Sequence, residues 1–237
     1  MAIAHRGASS YAPENTVAAF DLALQMGVCH IELDVHCTSD EHVVVMHDDT
    51  VDRTTNGCGP VAQYTLAALQ ALDAGAWFGT QFAGERVPTF AEILTRYKGR
   101  VHIHTEIKGR QASLVQRTVN LIRHHGMADQ VTVTSFQRER LAEARAYAPE
   151  LPTGWLVADV NDAVIVQARD MGLRQLCPHA STVTPALVCR LHAAGFVVRA
   201  WGVATEDLMC QVVRGGADGM TVNFPDTLLA YLKRSVQ

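Results

Sequence analysis

Residues 31–47 read IELDVHCTSDEHVVVMH, and the way this stretch folds decides the architecture of the whole chain. It contains two β-rich runs, residues 31–35 and 43–47, with only a few residues between them. A parallel crossover needs a dozen or more residues, so this connection is too short for one. We therefore expect the two runs to form an antiparallel hairpin.

The other strand-like runs alternate with segments of helical period. One run lies near Ile3, and six more follow after residue 98, at residues 101–107, 131–136, 153–158, 174–179, 197–203 and 219–223. The segment 89–97 shows the helical signals, because Thr89 and Glu92 have capping-box spacing and Gly99 follows the last apolar position. Alternating strands and helices indicate parallel β/α units. Without the return strand of the hairpin, eight parallel strands remain. This number predicts a TIM (β/α)₈ barrel with its active site at the C-terminal ends of the strands.

The length and composition suit one such domain. A chain of 237 residues has the size of a single α/β barrel, and 48% apolar residues are enough for a continuous core. Residues 49–87 are rich in Gly and Thr and have weak periodicity. We expect them to form a small inserted subdomain over the barrel mouth, after the second-strand hairpin. The rest of residues 1–237 would be a single catalytic barrel.

Charge, hydropathy and cysteine spacing indicate which kinds of partner and which cellular location the protein is expected to have. A formal net charge of -4 disfavours nucleic acid and anionic membranes as partners. No stretch reaches the roughly eighteen apolar residues of a membrane span, and no signal-peptide pattern follows Met1. The six cysteines are scattered and form no CxxC pair. We expect a cytoplasmic protein with reduced thiols, a small-molecule substrate and no stable membrane insertion. The oligomeric state is not predicted.

Three carboxylates converge at the expected barrel mouth. The period of two in residues 31–35 places Glu32 and Asp34 on one face of the second strand. The same period in residues 101–108 places Glu106 on one face with two histidines and a lysine. Buried like charges cost several kcal/mol unless they are neutralised. An all-carboxylate set favours Mg²⁺, Ca²⁺ or Mn²⁺ over Zn²⁺, so the sequence predicts a site for a divalent cation.

Two histidines belong to the same predicted site. His5 ends the first strand, where an apolar run meets it directly. A hairpin turn centred near Asp40 would bring His47 level with Leu33, to within a residue or two. Two histidines that flank a phosphate can serve as base and acid for displacement at phosphorus.

Two cations complete the predicted site. Arg6 follows His5, and Lys108 lies two residues after Glu106 on the same strand face. Together with a divalent cation, such side chains suit a bound phosphate group. The predicted ligand is therefore a small phosphate ester.

An ordered series of motifs resembles the glycerophosphodiester phosphodiesterase family. The series runs through nearly the whole chain and is densest in the first 108 residues. In chain order it consists of HRG (5–7), PENT (13–16), E-x-D (32–34), T-x-D (38–40), HD (47–48), RTTNGCG (53–59), VPT (87–89) and EIK (106–108).

This resemblance implies a metal-dependent TIM barrel with a small inserted subdomain. It implies hydrolysis of glycerophosphodiesters to glycerol 3-phosphate and an alcohol, which belongs to lipid and glycerol metabolism. It also implies a role for each candidate residue: metal binding for Glu32, Asp34 and Glu106, general base for His5, general acid for His47, phosphate contact for Arg6 and Lys108, and a position lining the substrate site for Trp201.

The chain departs from the family pattern at three places. His104 stands where the family often has Asn, residues 201–204 read WGVA instead of WTVN, and Asn223 replaces the aspartate of ITDYP. The acid, base and metal positions are intact. We therefore expect these departures to affect substrate preference and metal choice more than the chemistry.

Two alternative functions follow from the same residues. A lysophospholipase D or a related phospholipase-type barrel would need an apolar access route, and exposure of Trp77, Phe78 and Phe82 would favour it. A non-catalytic phosphodiester-binding protein is the alternative from another class. It would have no need of a paired acid and base.

Overall fold

Eight parallel strands close into a barrel in the computed structural model, which describes residues 1–235. The strands are β1 (Ala2–His5), β2 (His30–Cys37), β3 (Val43–Val45), β4 (His102–Ile107), β5 (Val131–Ser135), β6 (Thr153–Val157), β7 (Gln175–Pro178), β8 (Val197–Val203) and β9 (Gly219–Val222). Neighbouring strands follow the order β1-β9-β8-β7-β6-β5-β4-β2, and β1 pairs with β2 to close the ring. The short β3 pairs with the C-terminal residues of β2. The predicted TIM barrel is confirmed.

The hairpin of β2 and β3 has the predicted register. Val35 pairs with Val45 and Cys37 with Val43 in an antiparallel ladder. The Met46 amide also donates to the Asp34 carbonyl oxygen at 3.0 Å. Continuing this register by one residue brings His47 level with Leu33. The short connection therefore returns a histidine to the carboxylate-bearing end of β2.

Helices cover the outside of the barrel. They are α1 (Val17–Gln25), α2 (Leu66–Gln70), α3 (Phe90–Tyr97), α4 (Leu114–His124), α5 (Arg138–Tyr147), α6 (Asp162–Asp170), α7 (Pro185–Ala193), α8 (Glu206–Gly215) and α9 (Pro225–Ser235). The capping box predicted for α3 is present, with Thr89 and Glu92 each bonding the other's backbone amide, and Gly99 (φ 72°) follows the helix end. Across residues 1–235, no helix has both the length and the apolar character needed to cross a membrane.

The two faces of the barrel strands differ in polarity. On β2, Ile31, Leu33 and Val35 face outward and pack with the apolar side of α3. The alternate residues face the barrel interior, which in most TIM barrels is filled by branched aliphatic side chains. Here much of that interior is polar, and its buried members include Glu32, Asp34, His104, Glu106, Thr132, Thr134, Gln175 and Arg199.

Residues 49–87 contain α2 and two short 3₁₀ turns, Val61–Gln63 and Thr80–Phe82. Their apolar side chains form a small cluster that also includes Val44 and Met46 of the hairpin region. This segment therefore packs against the hairpin that carries His47.

Candidate active site

Three buried carboxylates lie together at the C-terminal end of the barrel. Asp34 on β2 is the direct neighbour of Glu106 on β4, and Glu32 lies one inward position before Asp34. The three residues are 3%, 1% and 7% exposed for Glu32, Asp34 and Glu106. One carboxylate oxygen from each lies within 4.8 Å of the other two. The spacing is small enough for one ion to contact all three.

The positive side chains around these three carboxylates are too few to neutralise them. Burial and the neighbouring Asp34 raise the pKa of Glu106 to about 7, and burial raises the pKa of Glu32 well above its ordinary value. Lys108 Nζ lies 3.2 Å from Glu106 Oε1, and Arg6 Nε lies 3.3 Å from Asp34 Oδ2. Asp34 Oδ1 is nevertheless buried without a hydrogen-bond partner. Closely spaced carboxylate oxygens, one of them without a hydrogen-bond partner, are the kind of ligands that a hard divalent cation binds.

We expect the metal-free chain to lose stability as pH rises from about 6.5 to 8. The folded-state pKa of Glu106 (about 7) is above its ordinary 4.5, so below pH 7 the folded state holds a proton that the unfolded state has released. Stability therefore falls as pH rises through the folded pKa. The expected effect is a fall in Tm of about 2 °C, measured after removal of divalent ions.

Glu106→Gln is the matched control for this titration, because the amide keeps the shape of the carboxyl group and cannot ionise. The fall in Tm should be smaller in this variant. The pKa values of His5 and His104 are lowered, so these histidines make stability rise with pH below about pH 6.5. The comparison therefore begins at pH 6.5. Equal slopes for the two proteins would show that Glu106 does not titrate between pH 6.5 and 8.

His5 has the properties of a neutral base. Its Nδ1 lies 2.6 Å from Asn223 Oδ1, and an Nδ1–H that donates to this oxygen leaves Nε2 unprotonated. Nε2 is 3.9 Å from Glu32 Oε2, so it faces the carboxylates. Burial and the adjacent Arg6 lower the pKa of His5 to about 4, which keeps the ring neutral at pH 7. Asn223 thus contacts the histidine itself, a role that the sequence did not indicate.

His47, which lines the same cavity as His5, is held by a charged partner. Its Nδ1 donates to Asp48 Oδ1 at 2.6 Å, and its backbone carbonyl oxygen lies 3.1 Å from His36 Nε2. Arg53 Nε in turn donates to Asp48 Oδ2 at 2.6 Å. The hydrogen bond from Arg53, followed by that from His47, holds the pKa of Asp48 well below its usual range. Arg53 and Asp48 together hold the His47 ring in place.

Residues of the PENT motif (13–16) form hydrogen bonds to the charged side chains of the site. Glu14 accepts from Arg6 NH1 at 2.9 Å and from Arg53 NH2 at 2.8 Å, so one carboxylate links the two arginines. Asn15 has a left-handed backbone (φ 58°) and its Nδ2 donates to Asp34 Oδ2 at 2.9 Å. Thr16 caps α1 through its side-chain oxygen. No sequence pattern indicates the contact between Glu14 and Arg53, which are 39 residues apart.

A cavity of about 360 Å³ opens at this end of the barrel. Seven of the eight predicted site residues line it, and Asp34 lies buried beneath them. The lining consists of His5, Arg6, Glu32, His47, Glu106, Lys108, Phe136, Leu156, Arg199, Trp201, Gly202 and Thr221.

A second lobe of about 360 Å³ adjoins this cavity, and His47, Glu106, Lys108 and Phe136 line both. Asp48 and Gln137 are among the polar residues of the second lobe. A larger cavity of about 610 Å³, beside the hairpin and α4, contains none of the predicted residues. His47 therefore stands between two halves of one cleft.

Trp201 forms an aromatic wall of the first lobe. Its ring packs edge-on against Phe136 and His179, each with a centroid distance of 4.7 Å. Its Nε1–H donates to the Val157 carbonyl oxygen at 3.0 Å. These contacts fix the indole at the mouth.

Two buried interior residues fall outside the carboxylate cluster. His104 does not approach it, because its Nε2 points to His30 Nδ1 at 3.4 Å. Arg199 is 1% exposed and lines the cavity, and its charge partly counters the raised pKa values of Glu32 and Glu106. Arg199 was not among the predicted site residues, although a charged residue within an apolar strand is a signal that could have identified it.

Comparisons with known proteins agree with this geometry. The profile of the glycerophosphoryl diester phosphodiesterase family matches residues 5–227. A glycerophosphodiester phosphodiesterase of Caldanaerobacter subterraneus is 35% identical, with 99% of this chain and 98% of the relative aligned. One from Bacillus subtilis is 32% identical, with 95% and 84% aligned. The solved structure of an Oleispira antarctica phosphodiesterase in complex with its product sn-glycerol-3-phosphate superposes with a TM-score of 0.91 at 30% identity, covering 98% of this chain and 96% of that one.

Proposed function

The chain belongs to the glycerophosphoryl diester phosphodiesterase family and is a phosphoric diester hydrolase, and from this premise we propose how its residues carry out the reaction. The proposed reaction is divalent-metal-dependent hydrolysis of glycerophosphodiesters to glycerol 3-phosphate and an alcohol. One observation carries the proposal: three buried carboxylates lie within 4.8 Å of one another, in a cleft that two histidines flank.

Glu32, Asp34 and Glu106 would hold the cation. Their all-oxygen donor set suits Mg²⁺ or Ca²⁺, with Mn²⁺ also compatible. When bound, such an ion neutralises charge on the phosphate and stabilises the charge that develops during displacement. The orphaned Asp34 Oδ1 supports this assignment, because a buried carboxylate oxygen without a partner is costly.

His5 would accept the proton of the attacking oxygen. Its free Nε2 faces the first lobe, and its lowered pKa keeps it unprotonated before the reaction. The attacking oxygen belongs either to water or to the neighbouring glycerol hydroxyl. The second route forms a cyclic phosphate before glycerol 3-phosphate.

His47 would protonate the departing alkoxide. It stands between the two lobes, so it can reach an oxygen that leaves toward the second lobe. Asp48 and Arg53 fix the orientation of the ring. We propose that His47 is the acid and His5 the base because only His47 has a carboxylate within hydrogen-bond distance of its ring.

Arg6, Lys108 and Trp201 would bind the substrate. Both cations line the first lobe next to the carboxylates. A phosphate oxygen bound there would accept hydrogen bonds from both side chains. Trp201 offers an apolar wall for the glycerol carbons.

The three insertion aromatics give no support to a long lipid substrate. Trp77 is 41% exposed, but Phe78 packs edge-on between Trp77 and Phe82, with centroid distances of 5.6 Å on each side. None of these three described side chains lines either lobe of the cleft. A small polar alcohol is therefore the proposed leaving group.

We also propose that residues 1–237 act as one catalytic domain, with an insertion at about 49–87. The packing of that segment on the hairpin supports this organisation, and residues 236–237 lie outside the described part of the chain. A cytoplasmic location and a place in lipid and glycerol metabolism are part of the same proposal. All six cysteines have free thiols, which suits a reducing compartment.

A product assay tests the proposed function. The enzyme is incubated with glycerophosphocholine, glycerophosphoethanolamine, glycerophosphoglycerol and a lysophospholipid, with and without chelator. We expect glycerol 3-phosphate from the small diesters with Mg²⁺, Mn²⁺ or Ca²⁺, and none with chelator. Phosphorus NMR at early times distinguishes direct hydrolysis from the cyclic route. Turnover of the lysophospholipid alone would contradict the assignment of small diesters as substrates.

A further inference from the structure

Three histidines meet inside the barrel at the end opposite to the cleft. His30 begins β2 and His102 begins β4, and the two residues are direct neighbours in the parallel pairing, with His104 one inward position further along β4. Their ring centroids are 5.4 Å apart for His30 and His102, 5.6 Å for His30 and His104, and 5.0 Å for His102 and His104. The proposed hydrolysis uses none of these side chains.

The surroundings do not explain why imidazoles occupy these positions. Within residues 1–235, no carboxylate lies within ion-pair distance of any of the three rings. His102 Nε2 is 2.8 Å from Thr132 Oγ1, whereas His104 Nδ1 is buried without a partner. Branched aliphatic side chains are the usual filling of a barrel interior, and an unsatisfied buried nitrogen is costly. Packing alone would favour other residues.

The distance between two of the nitrogens suits a metal ion. His104 Nε2 and His30 Nδ1 are 3.4 Å apart. Two nitrogens that bind one tetrahedral Zn²⁺ at about 2.0–2.1 Å are separated by about 3.3–3.4 Å. The third ring, His102, would have to turn away from Thr132 to supply a nitrogen, and its centroid lies beside both other rings.

We propose that His30, His102 and His104 form a second metal site, which takes a Zn²⁺-type transition-metal ion with solvent as a further ligand. Imidazole nitrogens select Zn²⁺, Ni²⁺ or Cu²⁺, whereas the carboxylates of the cleft select harder ions. His30 and His102 are only partly buried, so an ion can enter from the N-terminal end of the barrel. His104 is the direct neighbour of Glu32 in the pairing of β4 with β2, so the two sites are adjacent, with the imidazoles on the N-terminal side of the carboxylates.

Selective loading tests this proposal in the untagged, full-length chain. Saturating Mg²⁺ first occupies the carboxylates, and one equivalent of Co²⁺ is then added. We expect visible absorption bands of a four-coordinate Co²⁺ ion with nitrogen ligands. Zn²⁺ should displace the Co²⁺, bind with a stoichiometry of one in calorimetry and raise Tm.

His30→Gln and His102→Gln are the test variants, because these partly exposed positions tolerate an amide better than the fully buried His104. Each should weaken Zn²⁺ binding roughly tenfold or more and remove the Co²⁺ bands. Circular dichroism and Tm without Zn²⁺ show that each variant is folded, and either variant alone suffices for the comparison.

His192→Gln is the matched control, since His192 pairs with Asp218 at the same end of the barrel. It should bind Zn²⁺ like the wild type. Cys29→Ser tests the exposed thiol next to His30. Wild-type Zn²⁺ affinity in either test variant, once that variant is shown to be folded, would overturn the proposal, as would loss of the Co²⁺ bands in Cys29→Ser.

Discussion

Replacement of Glu32, Asp34 or Glu106 by Ala is expected to lower kcat by at least roughly 10²–10³-fold and to weaken divalent-cation binding in parallel. Each variant removes one of three oxygens that lie within 4.8 Å of one another. The remaining two carboxylates cannot neutralise or position an ion as three can. Metal affinity is measured by calorimetry and kcat by glycerol 3-phosphate release, at saturating metal.

The same variants should remain folded without metal. Mutual repulsion and burial raise the pKa values of Glu32 and Glu106, so removal of one carboxylate relieves that cost in the metal-free state. Asp21→Asn is the matched control, because Asp21 is ion-paired with Arg96 on the helical layer, away from the cleft. It should keep the wild-type kcat.

Removal of divalent ions from the wild-type enzyme by a chelator tests the same metal dependence without a mutation. Turnover should disappear after exhaustive chelation and return with Mg²⁺, Mn²⁺ or Ca²⁺. Full activity in a sample in which elemental analysis detects no metal would refute metal dependence. The three carboxylates would then need another role, such as electrostatic contact with a cationic group of the substrate.

The second large expected effect is a difference between the His47 and His5 variants in how their activity depends on the leaving group of the substrate. Alkoxides of glycerol, ethanolamine or choline are strong bases, with conjugate-acid pKa values on the order of 14–15, so an acid contributes roughly 10²–10⁴-fold. p-Nitrophenolate, with a pKa of about 7, leaves without such help. His47→Ala should therefore abolish most turnover of natural diesters and largely spare a p-nitrophenyl phosphodiester. His5→Ala should impair both.

Kinetics of both variants on both substrates, under saturating metal, check this assignment. His124→Ala is the control, since His124 lies at the end of α4 and outside the cleft. A leaving-group-dependent loss in His5→Ala instead of His47→Ala would reverse the two roles. Equal losses on both substrates in both variants would contradict the division into one acid and one base.

Much of the fold could be predicted because local signals coincide with it. The short link after β2 allows only a hairpin, and its register followed from the turn position near Asp40. The capping box at Thr89 and the glycine after α3 are local in sequence as well. The carboxylate cluster followed from strand period and parallel pairing, which place Glu32, Asp34 and Glu106 on one inner face.

The supporting contacts of the site could not be predicted, because they depend on tertiary proximity. Asn223 contacts His5 across the join between β9 and β1, at opposite ends of the sequence. From the sequence, the change at Asn223 was expected to affect substrate preference or metal choice, whereas in the structure Asn223 contacts His5. Glu14 and Arg53 meet only after residues 49–87 fold back over the barrel.

The Arg6–Glu14–Arg53–Asp48 chain of ion pairs has a consequence for how this enzyme can be recombined with its relatives. Arg53 belongs to the inserted segment, yet its partners Glu14 and Asp48 lie outside it. A chimera that exchanges residues 49–87 for the equivalent loop of a relative replaces one of these four residues and, with it, both ion pairs that Arg53 makes. We expect such a chimera to keep both ion pairs only when the incoming loop carries an arginine at the position of Arg53.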